Sequence, residues 1–288
     1  MTTPLPARSR AAAAPASRRR AAAVMAGILA VALVGCRSTG PGGPVIGGTD
    51  RVQPTAVLIT EAQLREAAGQ AQALRLAELR RTGATQPDAA LAKRVAEVAR
   101  RLIGATAAVR GDAPGWGWDV VVVGSDRLDA WCLSGGRCVV HSGLVARLGL
   151  TDDEIAALLA HEFAHVLREH PRERAALEQG VAAAIAESAA DLGVPAGTAD
   201  LAVLAYAVGA RMPNGRAHEV EADRLGVELA ARAGFDPRAA LTLWQRLSAQ
   251  AECSAAAWAT RHPSTNGRAE NLAGYAERVM PLYLQARP

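Results

Sequence analysis

Thr151-Asp152-Asp153-Glu154-Ile155-Ala156-Ala157-Leu158-Leu159-Ala160-His161-Glu162-Phe163-Ala164-His165 reads as one helix that opens with its own cap and closes on a metal-binding pattern. Thr151 and Glu154 form an S/T-x-x-E capping box, each side chain closing an orphan backbone N–H. Asp152 and Asp153 put negative charge at the positive end of the helix dipole. The helix is expected to run to Arg168 or His170, where Pro171 prevents a clean continuation. His161-Glu162-Phe163-Ala164-His165 is the H-E-x-x-H pattern, whose two imidazoles, four residues apart, project from one helical face and can ligate a single zinc ion. Glu162 falls beside that metal, where a carboxylate can take a proton from zinc-bound water and pass it to the leaving amine of a peptide. The apolar flanks Phe163, Ala164, Val166 and Leu167 fit a helix buried on one side with its ligands facing a cleft.

Two histidines leave a zinc site incomplete, so a third protein ligand has to come from elsewhere. His218-Glu219-Val220-Glu221-Ala222-Asp223 is the downstream candidate. Glu219 and Asp223 are four apart and share a helical face, whereas Glu221 competes for the ligand role out of phase with Asp223. Around these segments the chain reads mostly helical, with three- and four-residue apolar spacing over Glu61 to Arg81, Asp88 to Ile103, Arg172 to Leu192, Thr198 to Arg211, Ala217 to Ala233, Pro237 to Gln250 and Gly267 to Leu284. Leu201 to Ala210 is apolar but too short to cross a bilayer and reads as a buried core helix. The period changes at Trp118-Asp119-Val120-Val121-Val122-Val123. Trp131-Cys132-Leu133 and Arg137-Cys138-Val139-Val140 flank a Gly-Gly turn, so a small antiparallel sheet is expected there. The fold class is therefore α+β, dominated by helices, with that sheet beside the active-site helix.

His161-Glu162-x-x-His165 followed by Glu219-x-x-x-Asp223, then Asp223-Arg224-Leu225-Gly226 and Gly234-Phe235-Asp236-Pro237, resembles the gluzincin endopeptidases of the HtpX, CAAX-prenyl-protease and BepA/LoiP kind. The similarity reaches back to Asp129-Ala130-Trp131 and Gly135-Gly136 and forward to His262-Pro263. The resemblance implies a zincin-like domain with one zinc per chain, His161, His165 and Glu219 as ligands and Glu162 as general base. It makes Asp223 a carboxylate that holds a ligating histidine by its other ring nitrogen. His262 would approach the metal as a regulatory fourth ligand or help stabilise the tetrahedral intermediate, so Glu162, Asp223 and His262 form the catalytic set. His141, His170 and His218 have no motif support and read as surface or structural groups. Two departures stand out: family members commonly have Asn where this chain has Asp129, and Pro where it has Ser134. If that strand binds the substrate backbone by edge pairing, Asp129 alters substrate preference.

Composition narrows the setting. Of 288 residues 50% are hydrophobic and 21% charged, which excludes a disordered or fibrous chain. The net charge of +4 belongs to the start of the chain: without Arg8, Arg10, Arg18, Arg19 and Arg20, 27 basic residues face 28 acidic ones, and nucleic acid is not an expected partner. The arginine-rich start followed by apolar Ala21 to Val34 reads as a signal peptide over 1–35. Leu33-Val34-Gly35-Cys36 resembles the lipobox of bacterial lipoproteins, making Cys36 the lipidation site and anchoring the protein to a membrane. Ser17-Arg18-Arg19-Arg20 leaves export through the twin-arginine route open. Residues 36–59, rich in Gly and Pro, read as a tether, and 60–288 as the zinc metalloendopeptidase domain. By resemblance, Arg37 after the cysteine points to the outer membrane facing the periplasm, or to the cell surface in a single-membrane bacterium. The substrates implied are unfolded or misfolded envelope proteins; the alternative is a chaperone-like assembly factor with a latent site. Among Cys132, Cys138 and Cys253, a clip across the hairpin and a Cys132–Cys253 bridge are both open.

Overall fold

The computed structural model describes residues 60–174, 215–251, 261–262 and 267–287. The expected signal peptide, tether and lipidated Cys36 lie outside the described residues, as do Cys253, Pro263, the helix expected over Thr198 to Arg211 and most of the one expected over Arg172 to Leu192. Helices α1 (Glu61–Arg81) and α2 (Ala89–Ala105) come first, then strands β1 (Asp119–Val123), β2 (Ala130–Leu133) and β3 (Arg137–His141). They are followed by α3 (Ser142–Leu148), α4 (Asp152–Leu167), α5 over 215–232, α6 (Ala239–Ala251) and α7 (Arg268–Ala286). The mostly helical α+β architecture is as expected. No helix among the described residues is long and apolar enough to cross a membrane.

The sheet corrects one expectation, because it is mixed rather than antiparallel. Its order is β1-β3-β2, with β2 antiparallel and β1 parallel to β3. The reason lies in burial. In β3, Cys138, Val139, Val140 and His141 are all buried, so this strand takes the centre, where both edges and both faces are covered. Residues 124–129 carry the chain across the end of β3, a span of about 9.5 Å for two strand spacings. The β2–β3 hairpin then returns between the outer strands, turning at Gly135 and Gly136, both with positive φ (76° and 78°). Cys132 and Cys138 are register partners across that hairpin and form a disulfide, which selects the local clip.

Alternation along the strands divides the sheet's faces. Val121, Val123, Val139 and Trp131 pack with Leu76 and Leu79 of α1, while Val120, Val122, Cys138, Val140 and Ala130 join the main core with α2 and α4. α4 sits at the centre of that core. Every residue from Glu154 to Leu167 is buried, so α4 is covered on all sides and not on one face only. Its start is the capping box: Thr151 Oγ1 accepts from Glu154 N at 3.2 Å and Glu154 Oε2 accepts from Thr151 N at 2.9 Å.

α5 crosses α4 at close range. A Cβ on Gly226 would lie 2.9 Å from the backbone N of His161 and 3.0 Å from its Cα, so only glycine permits this approach. Gly226 is seven residues after Glu219 and three after Asp223, which puts all three on the face of α5 turned toward the histidines.

Candidate metal centre

Four buried side chains from three parts of the chain converge. His161 and His165 come from α4, Glu219 from α5 and His262 from the segment before α7; one ligand atom of each lies within 4.8 Å of the others. His161 Nε2 is 3.1 Å from His165 Nε2 and 3.1 Å from His262 Nδ1. Glu219 Oε2 is 3.3 Å from His161 Nε2, and its Oε1 is 3.2 Å from His165 Nε2 and 3.0 Å from His262 Nδ1. Donors held 2.0–2.1 Å from one centre at tetrahedral corners stand about 3.3 Å apart, so this spacing fits a small tetrahedral cation. The charge fits as well. Glu162, Glu219 and Asp223 are buried carboxylates here, more than the one buried guanidinium among them, that of Arg268, can balance, so the surroundings favour a cation.

Surrounding groups fix these donors. Asp223 Oδ1 is 3.0 Å from His161 Nδ1, so the expected carboxylate lies on the outer nitrogen of that imidazole. Arg268 donates to Asp223 Oδ1 at 2.7 Å and to Glu219 Oε2 at 3.2 Å, and its guanidinium lies 3.3 Å over the Trp244 ring. Glu221, the competitor for the ligand role, points elsewhere: it accepts from Arg168 at 2.6 Å and meets His170 Nε2 at 3.1 Å.

Electrostatics separate the two helix histidines. Burial pushes both toward neutrality; for His161 the carboxylates of Glu219 and Asp223 outweigh it and lift the pKa to about 9, whereas His165 is held down at about 4. Burial also opposes ionisation of Glu162 and Glu219, but facing imidazoles, His262 foremost, hold Glu162 at about 2 and Glu219 far below the usual carboxylate range.

Glu162 lies between the cluster and the sheet. Its Oε2 accepts from the backbone N of Cys132 at 3.0 Å, and its Oε1 is 3.1 Å from His262 Nε2. The ladder bond from His141 N to Asp129 O, with strand alternation, turns Ala130 and Cys132 to the free edge of β2. Arg261 covers that edge, donating to Ala130 O at 2.5 Å and to the buried carboxylate of Asp129, which Arg127 also meets at 3.4 Å.

The structure places the three histidines that no motif supports, and of the surface and structural readings the structural one holds. His141, His170 and His218 are all buried, so none is a surface group. His141 meets Ser125 Oγ at 2.6 Å, and burial holds its pKa at about 4. His170 touches His165 directly, at 2.9 Å between Nδ1 atoms. Trp244 and Arg268 also bear on His161 and its carboxylates, and no motif marks Trp244. The only hint for Arg268 is its place shortly after His262.

The family model described as peptidase family M48 matches residues 89–276. Over 157 residues, 54% of this chain, the sequence is 33% identical to the mitochondrial metalloendopeptidase OMA1 of Schizosaccharomyces pombe, covering 45% of that protein. It is 30% identical over 175 residues to the OMA1 metalloendopeptidase of Arabidopsis thaliana, covering 35% of it. It is 28% identical over 177 residues to the beta-barrel assembly-enhancing protease of Escherichia coli K12, covering 36%. The chain thus spans less than half the length of each of these relatives.

Proposed function

The chain belongs to peptidase family M48, and on that premise we propose that it is a zinc-dependent endopeptidase of envelope protein quality control. In this reading residues 1–35 are an export signal and Cys36 carries a lipid that holds the 60–288 domain at the outer membrane, facing the periplasm. Its substrates are unfolded or misfolded envelope proteins. The observation that carries the reading is the buried set of His161, His165, Glu219 and His262 with Glu162 against it. His161, His165 and Glu219 would hold the zinc, which when bound supplies a Lewis acid that activates water and polarises a peptide carbonyl.

The chain's own groups do the rest. Cys132 N fixes Glu162 Oε2, so Oε1 is the atom placed to take a proton and return it to the leaving amine. The ionised state of Glu162 suits that task. Asp223 keeps the proton of His161 on Nδ1, leaving the Nε2 lone pair for the metal. An extended substrate would add to the free edge of β2 at Ala130, and must displace Arg261 to do so, while the Cys132 N–H stays on Glu162. His262 fills a position that catalytic zinc sites keep open, and it has to move aside for turnover.

Zinc content per chain and casein hydrolysis test the reading. Wild type should bind one zinc and cleave casein in a chelator-sensitive way; Glu162→Gln should keep the zinc and lose cleavage. Glu219→Ala should lose the zinc and Glu221→Ala should retain more of it. A wild-type chain without zinc, or with chelator-resistant cleavage, overturns it. The closed arrangement of His262 and Arg261 favours a second reading, a chaperone-like factor with a latent site. In that case the Glu162→Gln protein keeps its envelope function in cells. Cys36→Ala should release the protein from the membrane fraction.

A further inference from the structure

His165 is tied on its outer side to a chain of buried polar groups that the peptidase reading does not use. Its Nε2 faces the cluster, so the ring's proton belongs on Nδ1. That atom is 2.9 Å from His170 Nδ1, which accepts only when the proton of His170 sits on Nε2. His170 Nε2 is in turn 3.1 Å from Glu221 Oε2. With a cation held at His165 Nε2, one proton assignment satisfies the outer contacts: His165 Nδ1–H donates to His170, and His170 Nε2–H donates to Glu221. The far end is anchored, since Glu221 Oε1 accepts from Arg168 at 2.6 Å. The middle ring is clamped as well. His170 stacks on His218 at 4.3 Å between centroids, and His218 Nε2 meets Glu173 Oε2 at 3.1 Å.

Local backbone explains how His170 gets there. α4 ends at Leu167, and Glu169 has a φ of 53°, a left-handed conformation uncommon outside glycine. That residue turns the chain so that His170, five positions after His165, comes back against its ring. Glu221 is two residues after Glu219 on α5 and points to a different side of the helix. Glu219 thus reaches the inner nitrogen of His165, and Glu221 serves the outer one through His170.

We propose that His170 and Glu221 are positioning residues, which hold His165 as the Nδ1–H tautomer with its Nε2 lone pair aimed at the zinc. They do for His165 what Asp223 does for His161. The inference rests on the zinc-peptidase reading above. Breaking the relay leaves a buried N–H of His165 unpaired, and loss of such an outer partner lowers metal affinity by about 10–100-fold.

The test is zinc affinity of the full chain, measured by competition with a chromophoric chelator. His170→Asn keeps an acceptor near the Nδ1 position, whereas His170→Phe keeps the stacked ring and has no acceptor. The relay predicts wild type tightest, His170→Asn next and His170→Phe weakest, by about 10–100-fold. A role in packing alone predicts the reverse order of the two variants and overturns the proposal. Glu221→Gln, nearly isosteric, carries the same test where ring replacement costs folding: affinity lowered supports the relay, affinity unchanged overturns it. Long-range proton–nitrogen spectra of the zinc-loaded protein should show His170 as the Nε2–H tautomer, and the opposite tautomer overturns the relay. Normal zinc binding with indifferent variants removes this inference alone; a wild type that binds no zinc removes the peptidase reading with it.

Discussion

The two ends of α4 are held in opposite ways. At its start Thr151 and Glu154 close each other's backbone N–H groups within one turn, with Thr242 and Arg246 of α6 adding contacts to Glu154 Oε1 at 3.0 and 2.9 Å. At its end His161, Glu162 and His165 are met by side chains or backbone from β2, α5, residue 262 and the turn after the helix. The first arrangement lowers the free energy of the fold. The second concentrates buried charge, which costs stability unless it is paired and is kept for chemistry. Stability and function are thus separable along a single helix, and substitutions at its two ends should read out in different experiments.

The largest effect is expected at the functional end. Glu162→Gln should lower kcat by about 10²–10⁴-fold while leaving the thermal midpoint unchanged, because the amide oxygen still accepts from Cys132 N. A midpoint that falls with the rate would merge the two ends. Asp223→Asn should weaken zinc binding by about 10–100-fold, read by chelator competition, since the outer nitrogen of His161 loses its charged partner. Gly226→Ala joins the two properties. The added methyl meets the His161 backbone, so α5 must back away, costing about 1–3 kcal/mol in denaturant unfolding and loosening zinc together. The smallest effect belongs to the cap. Thr151→Ala should cost about 1 kcal/mol and lower the midpoint by roughly 2–4 °C, with zinc affinity and kcat unchanged. A change in kcat there would show that the cap transmits to the site.

Much of this was legible in the sequence wherever one segment contains its own partners. The capping box, the helices over 61–81 and 89–105, and the shared face of Glu219 and Asp223 all follow from spacing within a turn or two. The pairing of β1 was not legible, because strand alternation shows which face is buried and is silent on which neighbour a strand takes. Local spacing did not choose the disulfide either; the register that puts Cys132 opposite Cys138 did. His170 was passed over because its role depends on a left-handed turn at Glu169, where no glycine signals one. Glu219 and Glu221 were weighed as rivals, yet they meet different rings: Glu219 lies against His165 and Glu221 against His170.

From sequence alone came the central helix, its cap, the paired imidazoles and the acidic face awaiting them, since backbone hydrogen bonding and a 3.6-residue period act over a few positions. Only the tertiary structure decided which carboxylate meets which ring nitrogen, and that Arg268, Trp244 and His170 enclose them. Those contacts depend on how closely α5 can approach α4, a distance set by the missing side chain of Gly226 and by packing across the whole core.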